Sequence, residues 1–580
     1  MNKPPSILHL PNEVLVRILH YCNYRTIVRF SLTCRNSYEA VLQSVSLQLL
    51  MELEVTGLEI FDESLRSSYS SILAELKDHR EAWRSFRLAP VVLSPAILPS
   101  TRVNWELRNG AYIGEFCVSN QDYLGDTRYD RIQVIRLDSP VIPPPLAFEK
   151  KFNKSVINLS QDLVVLIEYF NESQDPESII ANVHLYHATT GLPHSLAQLS
   201  TFKIRDEALQ DLPEAHLTVA GSILAITFTQ PVYISRYCDT LIWDWKSCLC
   251  LGRIKSVSRN ANIAFLDKGH LLVFSALPSS SQARNQFALH VYAIPDGSAR
   301  GQESPQDDVY APSCPQIEPV LVLEFPKLHK TYQIDGYALA SMQLFGDVAY
   351  RESAKVVHSR TTTIALQIWT ELIEHLVGAN DEQPPKEFDY CVFVDTSRIF
   401  DRLLENTTGE PVKIPWSQWG PEATRWFIQK DSSSTNSVNA FGSQCPIWDH
   451  ASDNTGQLLS IFEFNPQVVR QYINSPGDKE KKDIAANSTF SWRNRFGIDD
   501  LKAPLMSVGQ ASMGQHIVTD IVGSDAKTVI DKGFEEPVES SLPYMVVTRV
   551  QPIPRHMAWY VQSDCLVGIV GTMDNHIGLI

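Results

Sequence analysis

The sequence predicts a small all-α N-terminal module followed by a large all-β body. Residues 1–50 place apolar side chains at helical spacing, whereas the chain beyond about residue 100 consists of short apolar runs that alternate with polar residues. Proline (34) outnumbers glycine (26), which favours many loops and strand edges over long helices. The 24 Phe, 20 Tyr and 11 Trp in 580 residues indicate a large folded core rather than a disordered chain.

The net charge of −16 is unevenly distributed. Residues 1–50 contain five basic and two acidic side chains, a net of +3, so the other 530 residues carry −19. Phosphate contacts need clustered Lys and Arg, whereas the body of this protein is strongly acidic. We therefore expect no nucleic-acid partner. The chain lacks an apolar signal sequence and an apolar run of the roughly 18 residues that a membrane helix requires. We therefore expect no membrane partner and a cytoplasmic or nuclear location.

The N-terminal module reads as three short helices. Pro11 suits a first helical turn, and the apolar residues that follow form an i, i+1, i+4, i+5 stripe at Val14, Leu15, Ile18 and Leu19. Thr26 and Thr33 are predicted to cap the second and third helices. Three helices in fewer than about 40 residues make a poor core on their own. The unit is therefore expected to dock on a partner or to pack on the protein's own body.

These residues also carry a family resemblance. Leu10-Pro11-x-Glu13-Val14-Leu15-x-x-Ile18-Leu19 resembles the opening of an F-box, and Ser31-Leu32-x-Cys34-Arg35 resembles its closing half. The resemblance implies a three-helix F-box at residues 1–50 that binds a Skp-type adaptor and, through it, a cullin. The residues implied to contact the adaptor are Leu10, Pro11, Leu15, Ile18, Leu19, Leu32 and Cys34. Some of them must instead hold the helices together, and the sequence does not sort them.

Residues 51–99 are predicted to form a helical connector. Ile72, Leu76 and Trp83 belong to a broken helical stripe, and the prolines from Pro90 to Pro99 end helix formation.

Residues 100–580 contain approximate repeats. Strands at 162–165, 222–225 and 270–273 are each followed by a second strand with an aromatic residue, namely Tyr186, Trp243 or Tyr292. The segment around Trp243-Asp244 resembles the third strand of a WD-type blade. Repetition around an axis buries the faces of small sheets, so a β-propeller with WD-type-like blades is predicted. A β-sandwich or two packed β domains are the alternative, and the number of blades stays open.

Three insertions interrupt this body. Residues 296–318, 474–488 and 520–541 are polar, charged or acidic, and are predicted to be mobile surface loops.

The C-terminal half carries a second resemblance. Trp416-x-x-Trp419-Gly420-Pro421-x-x-Thr424-Arg425 resembles a stretch of basidiomycete fungal F-box proteins. Two further stretches, Phe462-x-Phe464-Asn465-Pro466 and Leu542-Pro543-Tyr544, fit the same group. The resemblance implies no known chemistry.

No catalytic spacing is present, because the sequence lacks a P-loop, an HExxH segment and a Gly-x-Ser-x-Gly elbow. Neither His184 with His187 nor Cys248 with Cys250 has the further ligands of a zinc site, so no metal and no cofactor are expected, and the ten cysteines are expected to be reduced thiols. Trp416 and Trp419 could form a peptide-binding platform, although a core position is more typical of Trp.

The function predicted is that of a substrate-receptor subunit of an SCF-type (Skp–cullin–F-box) ubiquitin ligase, which is not itself an enzyme. The F-box binds the adaptor and the β-rich body binds an unknown protein substrate. The alternative is a non-enzymatic β-propeller interaction scaffold outside a ubiquitin ligase. The substrate, its degron and the oligomeric state stay open.

Overall fold

The protein is described from a computed structural model. It describes residues 10–61, 68–86, 103–108, 110–117, 128–137, 139, 141–171, 179–206, 214–229, 238–256, 262–277, 286–297, 305–341, 345–350, 353–373, 388–406, 410–429, 438–450, 456–474, 506–512, 515–556, 558–562, 565–571 and 577–579. Short helices come first in this part of the chain, and a large body of small, open β-sheets follows.

The N-terminal module contains four helices where three were predicted. They are α1 (Asn12–Leu19), α2 (Tyr24–Ser31), α3 (Arg35–Gln43) and α4 (Val45–Thr56). The cap of α2 is Asn23 and not Thr26, because the Asn23 side-chain oxygen accepts hydrogen bonds from both the amide and the hydroxyl of Thr26 at 2.9 Å. The cap of α3 is Cys34 and not Thr33. Leu19, Ile27, Val41 and Leu47 form the core of the module.

The connector is part of the folded structure. It contains β1 (Leu58–Ile60) and α5 (Tyr69–Arg84). Helix α5 packs against α4, and together they cover Ala354 and Val356 of the body. Strand β1 pairs with β21 (Lys355–His358), which also pairs with β20 (Val348–Tyr350). The predicted helical connector is therefore not helical throughout, since residues 58–60 form a strand at a sheet edge.

Seven sheets make up most of the body. Sheet 1 has β2 (Val103–Arg108), β3 (Ala111–Phe116), β4 (Tyr129–Arg136) and β5 (Leu146–Phe152). Sheet 2 has β6 (Lys154–Asn158), β7 (Leu163–Asn171), β8 (Ile179–His187), β9 (Thr201–Arg205) and β17 (Asp308–Tyr310). Sheet 3 has β10 (Glu214–Ala220), β11 (Ile223–Thr229), β12 (Cys238–Asp244) and β13 (Leu249–Ser256).

The remaining sheets follow along the chain. Sheet 4 has β14 (Asn262–Asp267), β15 (His270–Ala276), β16 (Phe287–Ala293), β18 (Leu321–Glu324) and β24 (Val412–Ile414). Sheet 5 has β19 (Tyr332–Leu339), β22 (Thr363–Leu372), β23 (Asp389–Asp395) and β25 (Thr424–Gln429). Sheet 6 has, in spatial order, β26 (Gln444–His450), β27 (Gln457–Glu463), β32 (Tyr544–Ile553), β29 (Gln515–Val522) and β28 (Met506–Ser512). Sheet 7 has β33 (Ala558–Gln562), β34 (Cys565–Gly571) and β35 (Ile577–Leu579).

Three helices and one hairpin lie between these strands. Helices α6 (Thr396–Glu405) and α7 (Trp416–Ala423) connect β23 to β25, and α8 (Pro466–Asn474) follows β27. Strands β30 (Thr528–Ile530) and β31 (Val538–Ser540) form a separate two-stranded sheet.

The repeated strand pairs predicted from the sequence are neighbours in the sheets. Val164 pairs with Tyr186, and Leu224 pairs with Trp243. In the third copy Tyr292 pairs with Leu271. The strand that opens each predicted copy is the second strand of its sheet, because β6, β10 and β14 precede it.

The sheets pack in chain order through alternate faces. In β7, Val164 and Leu166 face sheet 1, whereas Leu163 and Val165 face sheet 3, as the two-residue period of a strand requires. The same alternation connects sheets 3 to 7 through successive apolar clusters. Finally, Val567 and Ile569 of sheet 7 pack on Leu107, Tyr112 and Ile135 of sheet 1, so the packing order returns to its start.

The three predicted loop insertions have different outcomes. Residues 520–541 are not a loop, because they contain the end of β29 and the β30–β31 hairpin, whose Ile530 and Val538 are buried. Part of 296–318 is also ordered, since β17 extends sheet 2 by parallel pairing with β9. In the remaining insertion, at 474–488, residues 475–488 lie outside the described residues.

Candidate functional site

The seven residues predicted to contact an adaptor fall into two groups. Leu15 and Leu19 are each only 5 % exposed, and Leu19 packs on Ile27, Val41 and Leu47 in the core of the module. In contrast, Leu10, Pro11, Ile18 and Leu32 are exposed, with 40 % of Ile18 and 77 % of Leu32 accessible. The two groups separate along α1, where one stripe of the predicted pattern faces inward and the other faces outward.

Cys34, the seventh residue, has a local structural role. It is half-buried, and its sulfur accepts a hydrogen bond from the amide of Ser37 at 3.5 Å, which caps α3. Hydrogen bonding to Ser37 lowers the pKa of the Cys34 thiol.

The module exposes further apolar side chains that the sequence analysis did not select. Val14 lies one turn before Ile18, and Tyr21, which is 87 % exposed, lies three residues after it. Val28 lies one turn before Leu32 on α2. The outward stripes of α1 and α2 therefore each contain a predicted residue and a missed one. The four-residue spacing to Ile18 and Leu32 could have found Val14 and Val28, whereas Tyr21 lies beyond the end of α1.

Contacts with the body hold the module in place on the side of α2 and α4. The guanidinium of Arg25 donates to both carboxylate oxygens of Asp401 on α6, at 2.7 and 2.9 Å, and this hydrogen bonding raises the pKa of Arg25. Within the module, the amide of Tyr24 on α2 donates to the Glu54 carboxylate on α4 at 2.6 Å, which joins the two helices that contact the body. The Asn465 side chain donates to the carbonyl of Val55 at 2.8 Å.

An ion pair also joins the N-terminal module to the connector. Glu52 of α4 is buried and forms an ion pair with Arg80 of α5. Because an unpaired buried charge is costly, this pair favours one relative position of the two helices. The outward stripe of α1 takes no part in any of these contacts.

The tryptophan pair of the C-terminal half is a core feature. Trp419 is 5 % exposed and its indole nitrogen donates to the carbonyl of Glu324 at 3.0 Å. Trp416 contacts Trp419 edge-on, with ring centroids 5.4 Å apart, and also packs on Phe325 and Trp426. The pair is therefore not an exposed platform for a peptide. It packs α7 against sheets 4 and 5.

The candidate ligands of the body are also engaged in structural contacts. His184 is buried and contacts the Thr201 hydroxyl at 2.9 Å, and burial lowers its pKa. His187 contacts Asp162 at 2.8 Å. Cys248 is buried, and its thiol donates to the carbonyl of Leu199 at 3.3 Å. The sulfur of Cys250 lies 2.7 Å from the sulfur of Cys314. In the part of the chain that the structure describes, no three His, Cys, Asp or Glu side chains are grouped so that they could hold a metal ion.

Comparison with known protein families assigns the module. The family model of the F-box domain matches residues 7–48. Residues 7–48 are an F-box domain. This domain suggests, in general terms, the role of a substrate receptor in an SCF ubiquitin ligase, and F-box domains generally bind a Skp-type adaptor. The exposed apolar stripes of α1 and α2 belong to this F-box.

The F-box covers only a small part of the chain, and comparisons of the whole protein add little. No curated protein matches the sequence. Solved structures that resemble it include hydrazine synthase of Kuenenia stuttgartiensis, with 9 % identity, 67 % of this chain and 83 % of that chain covered, and a TM-score of 0.27. Another is the GH32 β-fructofuranosidase of Bombyx mori, with 9 % identity, 85 % and 100 % coverage, and a TM-score of 0.23. Scores this low support no conclusion about fold or function.

The described helices were also compared with the requirements of a membrane span. None of them is both long enough and apolar enough to cross a bilayer.

Proposed function

We propose that this protein is the substrate-receptor subunit of an SCF-type cullin–RING ubiquitin ligase. The observation that carries the proposal is an F-box domain at residues 7–48 whose first two helices keep apolar side chains exposed. On this proposal the F-box binds a Skp-type adaptor, the adaptor connects it to a cullin, and the β-rich body binds a protein substrate. The chain itself is not an enzyme, because the chemistry of ubiquitin transfer belongs to other subunits.

The residues proposed to contact the adaptor are the exposed ones. They are Leu10, Pro11, Val14, Ile18, Tyr21, Val28 and Leu32. Burying a Leu or Ile side chain contributes roughly 1.5–3 kcal/mol, so several of these residues together can sustain a stable complex. Leu15 and Leu19 act indirectly, because they fix the position of α1 within the module. Cys34 acts in the same way, because it caps α3.

We further propose that the body is a seven-bladed β-propeller. Support comes from seven sheets of three to five strands that pack on one another in chain order, with sheet 7 on sheet 1. In such a ring each sheet buries both faces against its neighbours, which no single open sheet can do. A rigid ring of this kind would present loops at its two ends to a substrate.

The basidiomycete fungal type and a cytoplasmic or nuclear location also belong to the proposal. The first rests on the stretch from Trp416 to Arg425. In the structure this stretch forms α7 and the start of β25, where Gly420 lies so close to the Trp416 ring that a Cβ would meet it at 2.1 Å. This contact gives a packing reason for the spacing of Trp416 and Gly420.

Co-purification with a Skp-type adaptor tests the proposed function. The variant to use is Ile18→Asp with Leu32→Asp, because both side chains are exposed and their loss leaves the core of the module intact. Leu15→Asp is unsuitable, since it places a charge inside the module. The matched control is Leu192→Asp with Leu196→Asp, which makes the same change at exposed positions of the body.

We expect the F-box variant to lose the adaptor at least tenfold while its circular dichroism spectrum and melting temperature stay unchanged, and the control to bind like the wild type. Equal retention of the adaptor by all three proteins would overturn the proposed docking surface. If the wild type binds no Skp-type adaptor at all, the receptor role fails and a scaffold outside a ubiquitin ligase takes its place.

A further inference from the structure

A groove of about 630 Å³ lies between the F-box and the body. Its F-box wall is α2, which contributes Arg25 and Arg29, and its body wall includes Arg398 of α6 and Arg470 of α8. Two acidic side chains line the same groove, namely Asp395 and Glu422, so the formal charge of the lining is +4 − 2 = +2. The groove is thus basic in a chain whose net charge is −16.

Two of the four arginines are already paired. Arg25 is bound to Asp401, and Arg398 lies 3.2 Å from the Glu422 carboxylate. Arg29 and Arg470 are exposed and contact no carboxylate among the described residues. Both line the groove, so they are the charges available to a ligand there, one from the F-box and one from the body.

Helix α2 relates this groove to the apolar docking surface. Arg25 and Arg29 are four residues apart and form a basic stripe along α2, while Val28 and Leu32, also four residues apart, form the adjacent apolar stripe. Val28 lines the groove and is itself 41 % exposed. The apolar stripe and the basic groove are therefore adjacent, and a protein bound to the stripe also contacts the edge of the groove.

We propose that this groove binds an acidic peptide segment, rich in Asp and Glu, of the same protein that docks on the apolar stripe of the F-box. The proposal rests on the proposed function, because it assigns the groove to the F-box partner. Carboxylates are the groups that Arg29 and Arg470 recognise through charge-assisted hydrogen bonds. The contact engages the F-box and the body at once, so the partner would hold both in one orientation, and the basic groove would accelerate its association.

The first test uses the purified full chain and a fluorescent decaglutamate peptide, with binding measured by fluorescence anisotropy at low salt. The variant Arg29→Glu with Arg470→Glu is expected to bind the peptide about tenfold more weakly, since each exposed contact contributes a few-fold. Arg35→Glu is the matched control, because Arg35 is an exposed arginine of the F-box that pairs with Glu39 on α3, outside the groove. It is expected to bind the peptide like the wild type.

Competition separates the possible ligands. If oligothymidylate displaces the peptide and binds more tightly with the same dependence on Arg29 and Arg470, the groove is a nucleic-acid site and the proposal is wrong. If inorganic phosphate at millimolar concentration displaces the peptide fully, the groove binds small anions and the proposal is likewise wrong. Equal peptide binding by the wild type and the double variant also overturns it.

A second test distinguishes failure of this inference from failure of the proposed function. With a Skp-type adaptor as the ligand, Arg29→Glu with Arg470→Glu is expected to slow association and to reduce its salt dependence. If Leu32→Asp abolishes adaptor binding but the double charge reversal leaves both rate and affinity unchanged, the receptor role stands and the groove assignment falls. If no adaptor binds, the receptor role falls, and the partner assigned to the groove falls with it.

Discussion

Arg25 and Asp401 form an ion pair between the F-box and the body, although 376 residues separate them in the chain. The pair joins the first turn of α2 to α6, the helix that follows the third strand of sheet 5. One guanidinium nitrogen, Nη1 of Arg25, donates to both carboxylate oxygens, and a separate hydrogen bond from the Asn465 side chain to the carbonyl of Val55 holds α4, so two helices of the module are fixed on the body. The F-box is therefore oriented on the body and not suspended from it.

Removing this pair should loosen the F-box with little effect on the rest of the protein. Both side chains are about one-third exposed, and exposed pairs contribute only about 0.2–1 kcal/mol, so Arg25→Ala should barely move the melting temperature. Amides of α2 should nevertheless exchange with deuterium faster, because local opening becomes easier. Arg35→Ala removes an ion pair within α3 and should leave exchange in α2 unchanged. Unaltered exchange in Arg25→Ala would show that the pair does not restrain the module.

The turn between α4 and β1 depends on Gly57. This residue has a φ of +71°, and a Cβ there would lie 2.8 Å from the Thr362 methyl and 2.9 Å from the carbonyl of Arg360. Gly57→Ala should therefore combine backbone strain with a steric clash and lower the free energy of unfolding by about 2–4 kcal/mol. Thermal unfolding would measure the loss.

Gly110 provides the control for this prediction. Its φ is +66°, but a Cβ there would have no atom within 4 Å. Gly110→Ala should show only the backbone component, about 1–2 kcal/mol. If the two variants lose equal stability, close packing at Gly57 contributes nothing.

Helix α1 illustrates what could and could not be predicted from the sequence. Helical periodicity identified Val14, Leu15, Ile18 and Leu19 as one apolar pattern, and the structure divides it into an inward stripe and an outward stripe. Helical periodicity predicts that an apolar face will be buried. It does not predict whether that face packs in the protein's own core or against another protein. Only the positions of α2 to α4 decide this, and those depend on contacts between distant residues.

The same distinction applies to the body. The paired strands around Tyr186, Trp243 and Tyr292 were predictable, because alternating apolar residues and turn residues are local signals. Strands β17 and β24 were not, because each has three residues and pairs in parallel with a strand that lies far away in the chain. No local pattern distinguishes such a segment from a loop.

The division of the predicted site into two groups can be measured. Leu19→Ala should destabilise the F-box by about 2–5 kcal/mol, because it leaves a cavity among Ile27, Val41 and Leu47. Leu32→Ala should change stability by less than about 0.5 kcal/mol, since the side chain is exposed. The rate of proteolytic cleavage within residues 10–56 would measure the stability of the module in both variants. Equal protection of the two variants would mean that Leu19 is not a core residue.

Arg425 is buried without a carboxylate contact among the described residues. It is 1 % exposed, and it donates to the carbonyls of Leu542 and Ala526 and to the hydroxyl of Thr528 at 2.7–2.9 Å. Burial lowers its pKa to about 10. Arg425→Met should reduce the free energy of unfolding by roughly 3 kcal/mol or more, because several buried acceptors lose their donor. Arg470→Met, the same change at an exposed arginine, should be nearly neutral in a chemical unfolding experiment.

His290 should make the stability of the protein depend on pH. Burial between Val273 and Val322, with a smaller effect of Lys413, lowers its pKa to about 4. The ordinary His pKa is about 6.5, so between these two pH values the unfolded chain binds a proton that the folded chain does not. The free energy of unfolding should therefore fall as the pH drops from about 6.5 towards 4, by up to about 3 kcal/mol from this residue.

His290→Gln should remove this contribution while leaving stability at pH 7 nearly unchanged. Urea unfolding at pH 7 and pH 5 would show a smaller loss in the variant than in the wild type, by about 1–2 kcal/mol. Some loss should persist, because burial also lowers the pKa of His184, His194, His216 and His556. His20→Gln, at an exposed position of the F-box, should lose as much stability as the wild type. An identical loss in His290→Gln and the wild type would mean that His290 takes up its proton in the folded protein.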